Sequence, residues 1–273
     1  MQMPFILAIL LYMLSASSYF AYLFFQRDWL QRLGGWLLGG GFACQSLIIG
    51  WSYYVTHHVP ANNLHETLAL TAWTIAGAYL ALNLRFHLKV LGIYTAPLST
   101  FVLLAASQAP RTPMQPENLL KGAWLTIHIV ATFSGNAAFM LAAGVGALYL
   151  IQERAIKTKS RGFFFKRLPS LDLLDTTGYA CIVSGFTMLT IGLVTGMVYA
   201  KIIWGRFWAW DAKEVWSAIT WIFYAVLLHE RLAVGWRGRR AAIMAMAGLA
   251  MLLFTFLGVN FLLEGHHGQF MQM

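Results

Sequence analysis

Charge is what this sequence has least of. Asp, Glu, Lys and Arg make up 11% of its 273 residues, where a soluble domain carries about 25%. The apolar residues, 59% of the chain, fall in long uninterrupted runs rather than in the periodic stripes of a soluble helix, which excludes a soluble globular protein. The apolar-polar alternation of a membrane barrel strand is absent too. Cysteine is nearly missing: Cys44 and Cys181 lie far apart inside apolar runs. No thiolate zinc site or CxxCH motif can be built from them, and both read as small buried apolar residues. There is no phosphate-binding Walker loop, no serine-triad motif and no HExxH, so hydrolytic or nucleotide-driven chemistry has no residues to act through.

What is present is membrane-crossing length. A helix needs about 20 apolar residues to cross the hydrocarbon layer, and eight stretches qualify: 4–25, 35–55, 65–84, 90–107, 121–151, 178–199, 217–234 and 241–263. The fold class is therefore all-α, a single polytopic membrane domain over 1–273 with the lipid bilayer as its surroundings. The fifth stretch exceeds one crossing and reads as one tilted or protruding helix. The links fall alternately on two sides, one holding fourteen of the nineteen basic residues and the other only Arg111, Lys121, Lys201, Arg206 and Lys213. Positive charge stays in the cytoplasm, so the first side is cytoplasmic and both termini face outward. The net charge of +9 is thus topological and implies no nucleic-acid partner. The first run lacks a basic leader and is full membrane length, unlike a cleavable signal peptide. The basic connection 152–177, with Phe163, Phe164 and Phe165, is expected as a cytoplasmic loop at the membrane surface.

The outward segment 200–216 and the start of the next span collect five tryptophans in 18 positions: Trp204, Trp208, Trp210, Trp216 and Trp221. Asp211 and Glu214 form a capping-box pattern, with Trp210 and Val215 at staple positions. Capping and interfacial preference do not account for Trp204, Trp208 and Trp210 crowding one short link beside Lys201, Arg206 and Lys213. An aromatic platform rimmed by positive charge suits a flat apolar ligand with anionic edges. Haem fits that description, with the three cations as candidates for its propionates. Haem iron needs axial ligands. His128 lies shallowly inside the fifth span on the outer side, and His266 and His267 follow the last span there. His229 stands near the inner end of the seventh span, where an ionisable residue at membrane depth marks a functional site unless a neighbour such as Glu230 satisfies it. His57 and His58 read as solvated loop residues, and His87 as part of a cytoplasmic basic cluster. Asn63 and Glu66 repeat the cap pattern at the third span, which leaves His65 on its first turn.

Trp204-Gly205-x-x-Trp208-x-Trp210-Asp211-x-Lys213-Glu214-x-Trp216, followed by Ile219-Thr220-Trp221, resembles the "WWD" signature of haem-handling proteins that assemble c-type cytochromes. Its Lys-Glu-x-Trp continuation is most similar to the CcsA (ResC) type, the subunit of a two-component haem delivery and attachment system. Asn63 to Leu68 resembles the family's Asn-Leu-Tyr-Glu-Ser-Leu, and Gly258-Val259-Asn260 with Gly265-His266-His267 resembles its carboxyl-terminal pattern. The resemblance implies haem b as a bound substrate, with His128 and His267 as outer axial ligands and His229 as an intramembrane ligand. It implies a second intramembrane histidine from a CcsB (ResB)-like partner subunit, and a haem-attaching, lyase-type holocytochrome c synthase complex that serves apocytochrome c bearing CxxCH. It places the signature residues Trp204, Trp208, Trp210, Asp211, Lys213 and Trp216, with Arg206, at the haem. The membrane would be the cytoplasmic membrane of a bacterium or the thylakoid membrane of a plastid. The family commonly has Pro where Ala212 stands, and His266 beside His267 leaves open which of the two coordinates.

Two other functions are compatible with a helical membrane protein. An electron-transfer cytochrome b would need two transmembrane histidine pairs, whereas His128 and His229 are expected near opposite faces. An organic-solute transporter would show paired broken helices or repeated halves, and the sequence has neither.

Overall fold

The computed structural model describes residues 2–112, 122–159 and 167–255. The chain is all-α, as expected: among the described residues there are eight α-helices and no strand. They are α1 (Gln2–Phe25), α2 (Asp28–Thr56), α3 (Leu64–Phe86), α4 (Gly92–Gln108), α5 (Ala123–Lys157), α6 (Leu171–Trp204), α7 (Ala212–His229) and α8 (Arg239–Leu253). A π-helical turn over Glu230–Val234 continues α7. Seven of these helices, α7 being counted with its π turn, are long and apolar enough to cross a membrane. The eighth is described over 15 residues, and the expected stretch beyond residue 255 lies outside the described residues. Large apolar side chains such as Leu10, Leu14, Trp36 and Phe101 face outward, as lipid-facing positions do in a protein with no water around its middle. The chain is an integral membrane protein.

Successive helices alternate in direction, which gives the bundle two ends. At one end Phe5 of α1 meets His65 of α3 at a tilt, ring centroids 4.9 Å apart, and His65 Nδ1 meets the Ala106 carbonyl of α4 at 2.7 Å. The α6–α7 link belongs to this tryptophan end. The opposite, basic end holds the α1–α2, α3–α4, α5–α6 and α7–α8 links.

Helix ends run further than hydropathy suggested. α2 starts at Asp28 rather than at 35, and α6 at Leu171 rather than at 178. α5 reaches Lys157, so the connection expected over 152–177 narrows to 158–170. Polar side chains sustain the extensions of α5 and α6. Lys157 donates to Glu153 one turn back at 2.7 Å, a favourable spacing on a helix. The Ser170 hydroxyl accepts from the Leu173 N–H at 3.3 Å and caps α6. Phe163, Phe164 and Phe165 lie outside the described residues.

Packing relies on small residues, since lipid supplies no hydrophobic drive between helices. On α1, Tyr12 and Tyr19 are seven residues apart; on α2, Gly41 and Gly34 match that spacing in the opposite direction. A β-carbon on Gly41 would come within 2.4 Å of the Tyr12 ring, and one on Gly34 within 3.0 Å of the Tyr19 ring. The tyrosine hydroxyls are paired, Tyr12 donating to Gln45 Oε1 at 2.7 Å and Tyr19 sharing a 3.0 Å bond with Tyr79. The most extensive contact is α5 on α6. There a β-carbon on Gly135 would stand 3.0 Å from the Leu189 N and 3.1 Å from the Gly185 carbonyl, and Phe139 sits over Gly185 of α6.

Gly41→Ala should displace Tyr12 from its seat and break its bond to Gln45, costing about 1–3 kcal/mol as overpacking does. Gly39→Ala, with nothing within 4 Å of the added carbon, should cost far less. Thermal unfolding of both variants in detergent checks the contrast.

Candidate functional site

The α6–α7 link begins where Gly205, at φ 73, ends α6 in the left-handed region that glycine adopts without strain. Lys201 Nζ donates to the Gly205 carbonyl at 2.7 Å and lies 5.4 Å from the Phe207 ring centroid. It is tied to the link itself. Trp208 and Trp210 meet edge to face with centroids 6.0 Å apart. Trp210 takes φ 60 while 80% exposed. A bulky residue in the left-handed region carries backbone strain of order 1–3 kcal/mol, and such outliers cluster at ligand sites. That exposure also corrects the staple expectation: Trp210 projects outward and does not pack on Val215. The indole N–H of Trp208 is buried with no acceptor among the described residues, an orphan donor beside a platform. Trp204 is exposed on the same side. The other two tryptophans are packed in the bundle, Trp216 against Phe254 at 4.5 Å and Trp221 with its N–H on Thr190 at 2.8 Å.

The cap at α7 differs from its expected form. Asp211 stands at the N-cap position, but its side chain makes no cap bond there. Glu214 reaches back past it and accepts from the Ala209 N–H at 2.8 Å. Asp211 is instead buried within electrostatic reach of Lys213, and Lys213 in turn acts on His128. The pattern at α3 is kept: Asn63 accepts from the Glu66 N–H at 2.9 Å, and Glu66 accepts from the Asn62 N–H at 2.8 Å. His58 departs from its expected solvated state, being 5% exposed with Nδ1 3.1 Å from the Val59 carbonyl, whereas His57 is exposed.

His128 lies five residues, roughly 8 Å, along α5 from Ala123. Its Nδ1 is 2.7 Å from the Gly192 carbonyl of α6. A carbonyl only accepts, so Nδ1 carries the proton and the neutral ring keeps its lone pair on Nε2. Metal-ligating histidines take this arrangement, with the second ring nitrogen donating to a carbonyl or carboxylate. Neither Gly192 nor Gly196, whose β-carbon would come within 2.7 Å of that imidazole, was evident from sequence, because a glycine in an apolar helix gives no sign of what packs on it. Among the described residues no three His, Cys, Asp or Glu side chains converge as a metal site. A porphyrin brings four ligands of its own, so axial imidazoles suffice.

His229 closes the regular part of α7 at the basic end, exposed on the bundle surface, and shares an outward stripe with Ile219, Ile222 and Val226. The structure thus brings Lys213 toward His128 and sets His229 at the far end. His266 and His267 lie outside the described residues. Sequence reading also missed Asp175. Arg231 donates to its two oxygens at 3.0 and 2.6 Å, and the Gly238 N–H donates to Oδ1 at 2.7 Å. One carboxylate on α6 therefore ties down the π turn after His229 and the start of α8. The Arg231 guanidinium is also stacked 4.5 Å from the Tyr179 ring centroid.

Asp175→Ala strands Arg231, which is 10% exposed at its side chain, and should destabilise the protein by roughly 3 kcal/mol, as breaking a buried pair does. The exposed Asp172→Ala should change little. Unfolding midpoints in detergent distinguish them.

A family model described as "Cytochrome C assembly protein" matches residues 61–267. "Cytochrome c biogenesis protein CcsA" of Mesostigma viride is 30% identical over 81% of each chain. The CcsA protein of Prochlorococcus marinus (strain MIT 9312) is 34% identical over 81% of this chain and 78% of its own. Among solved structures, "Cytochrome c Heme Lyase CcmF" shares the fold, with a TM-score of 0.67 at 16% identity over 98% of this chain and 48% of that longer one. The match spanning most of the bundle and the signature-bearing link, taken with these relatives, shows that the chain belongs to the cytochrome c assembly protein family, among its CcsA-type members.

Proposed function

We propose that the chain binds haem b as a substrate at its tryptophan end and presents it for covalent attachment to CxxCH apocytochrome c, as a subunit of a lyase-type complex. The observation that carries the reading is His128, its Nδ1 fixed on Gly192 and its Nε2 left as the coordinating atom, at the end of the bundle that bears the strained tryptophan platform. The names of the relatives, a cytochrome c biogenesis protein and a haem lyase, agree with it. Basic residues gather at the opposite end, so by the positive-inside rule the tryptophan end and both termini are extracytoplasmic. The membrane is the cytoplasmic membrane of a bacterium or the thylakoid membrane.

In this reading His128 and His267 hold the iron from two faces, which leaves no site for dioxygen. Trp204, Trp208 and Trp210 cover the ring. Lys213, with Arg206, is the candidate for propionate contact. Lys201, which donates to the Gly205 carbonyl, is the third candidate. Asp211 holds Lys213, and Trp216 anchors the start of α7. Attachment needs no oxidant: each apocytochrome thiol adds across a vinyl double bond, sulfur to one carbon and its proton to the other. The protein supplies binding, orientation and exclusion of side reactions. At the basic end, His229 and its apolar stripe suit a transmembrane helix of a CcsB-like subunit that contributes a second histidine, which gives haem a station on its way across. An electron-transfer cytochrome b is disfavoured, because His128 and His229 stand at opposite ends of the bundle.

The test is purification with and without the CcsB-like partner, with haem spectra and cytochrome maturation compared for the wild type and three variants. His128→Ala and His267→Ala should lose the low-spin outer haem and abolish maturation. His229→Ala should lower haem loading only in the presence of the partner. Spectra and maturation unchanged in all three would contradict the reading.

A further inference from the structure

We propose that Gly192 and Gly196 of α6 are positioning residues for haem ligation: together they form the seat that fixes the rotation and tautomer of His128, so that only Nε2 is offered to iron. The inference rests on the haem reading above and adds to it a part of α6 that touches no ligand.

A helical carbonyl normally accepts from the N–H four residues on, here that of Gly196, and retains a second lone pair. The side chain of residue i+4 lies over that carbonyl, because helical side chains lean back across the preceding turn. At position 196 there is no side chain, so the Gly192 oxygen can be approached from α5 even though the Thr195 hydroxyl, which donates mainly to the Ile191 carbonyl at 2.7 Å, also lies 3.1 Å from it. His128 Nδ1 reaches it at 2.7 Å across 64 residues of sequence. A β-carbon on Gly196 would stand 2.7 Å from Nδ1 and 2.8 Å from Cε1, inside the space of the ring itself. Gly192 serves the backbone. Its added β-carbon would lie 2.6 Å from Thr132 Oγ1 and 3.3 Å from the Thr132 N, so the absence of a side chain lets α5 close on α6. Thr132 in turn donates to the His128 carbonyl at 2.6 Å, which satisfies its hydroxyl inside the contact. The three features act in one direction: close approach, an acceptor that no β-carbon at 196 screens from α5, and a ring with one possible protonated nitrogen.

An acceptor on the distal nitrogen raises the basicity of the ligand, and loss of such a partner costs about 10- to 100-fold in metal affinity or activity. Gly196→Ala should therefore weaken haem binding by the full-length protein by roughly 10- to 100-fold and move the haem midpoint potential positive. Gly178→Ala is the matched control in the same helix, since its added carbon meets Val145 at an ordinary 3.6 Å; it should change neither. A second measurement keeps the glycines intact. In His128→Ala, free imidazole can donate its N–H to the vacated Gly192 oxygen, whereas 1-methylimidazole has no N–H to give. Imidazole should restore the low-spin spectrum at a concentration roughly 10-fold or more below that of 1-methylimidazole, and adding Gly196→Ala should abolish that difference. If His128→Ala loses the spectrum while both imidazoles restore it equally and Gly196→Ala binds haem as the wild type does, this proposal is overturned and the haem-ligand reading stands. If His128→Ala leaves the spectrum unchanged, both are overturned.

Discussion

Everything at the tryptophan end depends on how closely α5 approaches α6. In lipid that approach cannot be driven by burying apolar surface, so it comes from shape: alanines and glycines on one helix against glycines on the other. Where α5 closes on Gly192 and Gly196, a carbonyl that a side chain at 196 would screen is reached by a neighbouring side chain. His128 occupies that place. A packing motif thereby becomes an electronic one, because the carbonyl decides which ring nitrogen holds the proton. Larger residues at 192 or 196 would separate the helices or displace the ring.

The platform above this contact is built differently. Gly205 ends α6 without strain, whereas Trp210 is held in the left-handed region and projects into solvent. Asp211 is buried immediately afterwards and Lys213 half-buried, the lysine within electrostatic reach of His128. A positive charge near the proposed iron site and an aromatic surface beside it are what a ring with carboxylates at one edge requires. At the opposite end Asp175 gathers Arg231 and Gly238, which fixes the turn that follows His229 while leaving the histidine itself on the bundle surface.

The number and order of the helices were legible in the sequence because the bilayer imposes a minimum apolar length. Their ends were not. α5 and α6 continue through polar residues whose pairs and caps, Glu153 with Lys157 and Ser170 with the Leu173 N–H, hydropathy does not register. Depth alone singled out His128 and His229, and composition alone singled out the tryptophan link. What sequence could not supply was partnership across the fold. The acceptor for His128 is 64 residues away on a glycine, Asp175 meets Arg231 and Gly238, 56 and 63 residues further on, and the apparent capping box at Asp211 gives way to a longer reach by Glu214 to Ala209. His58 looked like a loop residue and is buried, since the link that carries it folds back over the bundle.

The central claim is that iron is bound through one nitrogen of His128 while the other remains on α6. An experimental structure of the full-length protein purified with haem tests it most directly. The account predicts iron bonded to Nε2 of His128 at the tryptophan end, with Nδ1 still on the Gly192 carbonyl and the ring of the haem against Trp204, Trp208 and Trp210. Haem held elsewhere in the bundle, or iron bonded to Nδ1 with the Gly192 contact broken, would contradict it.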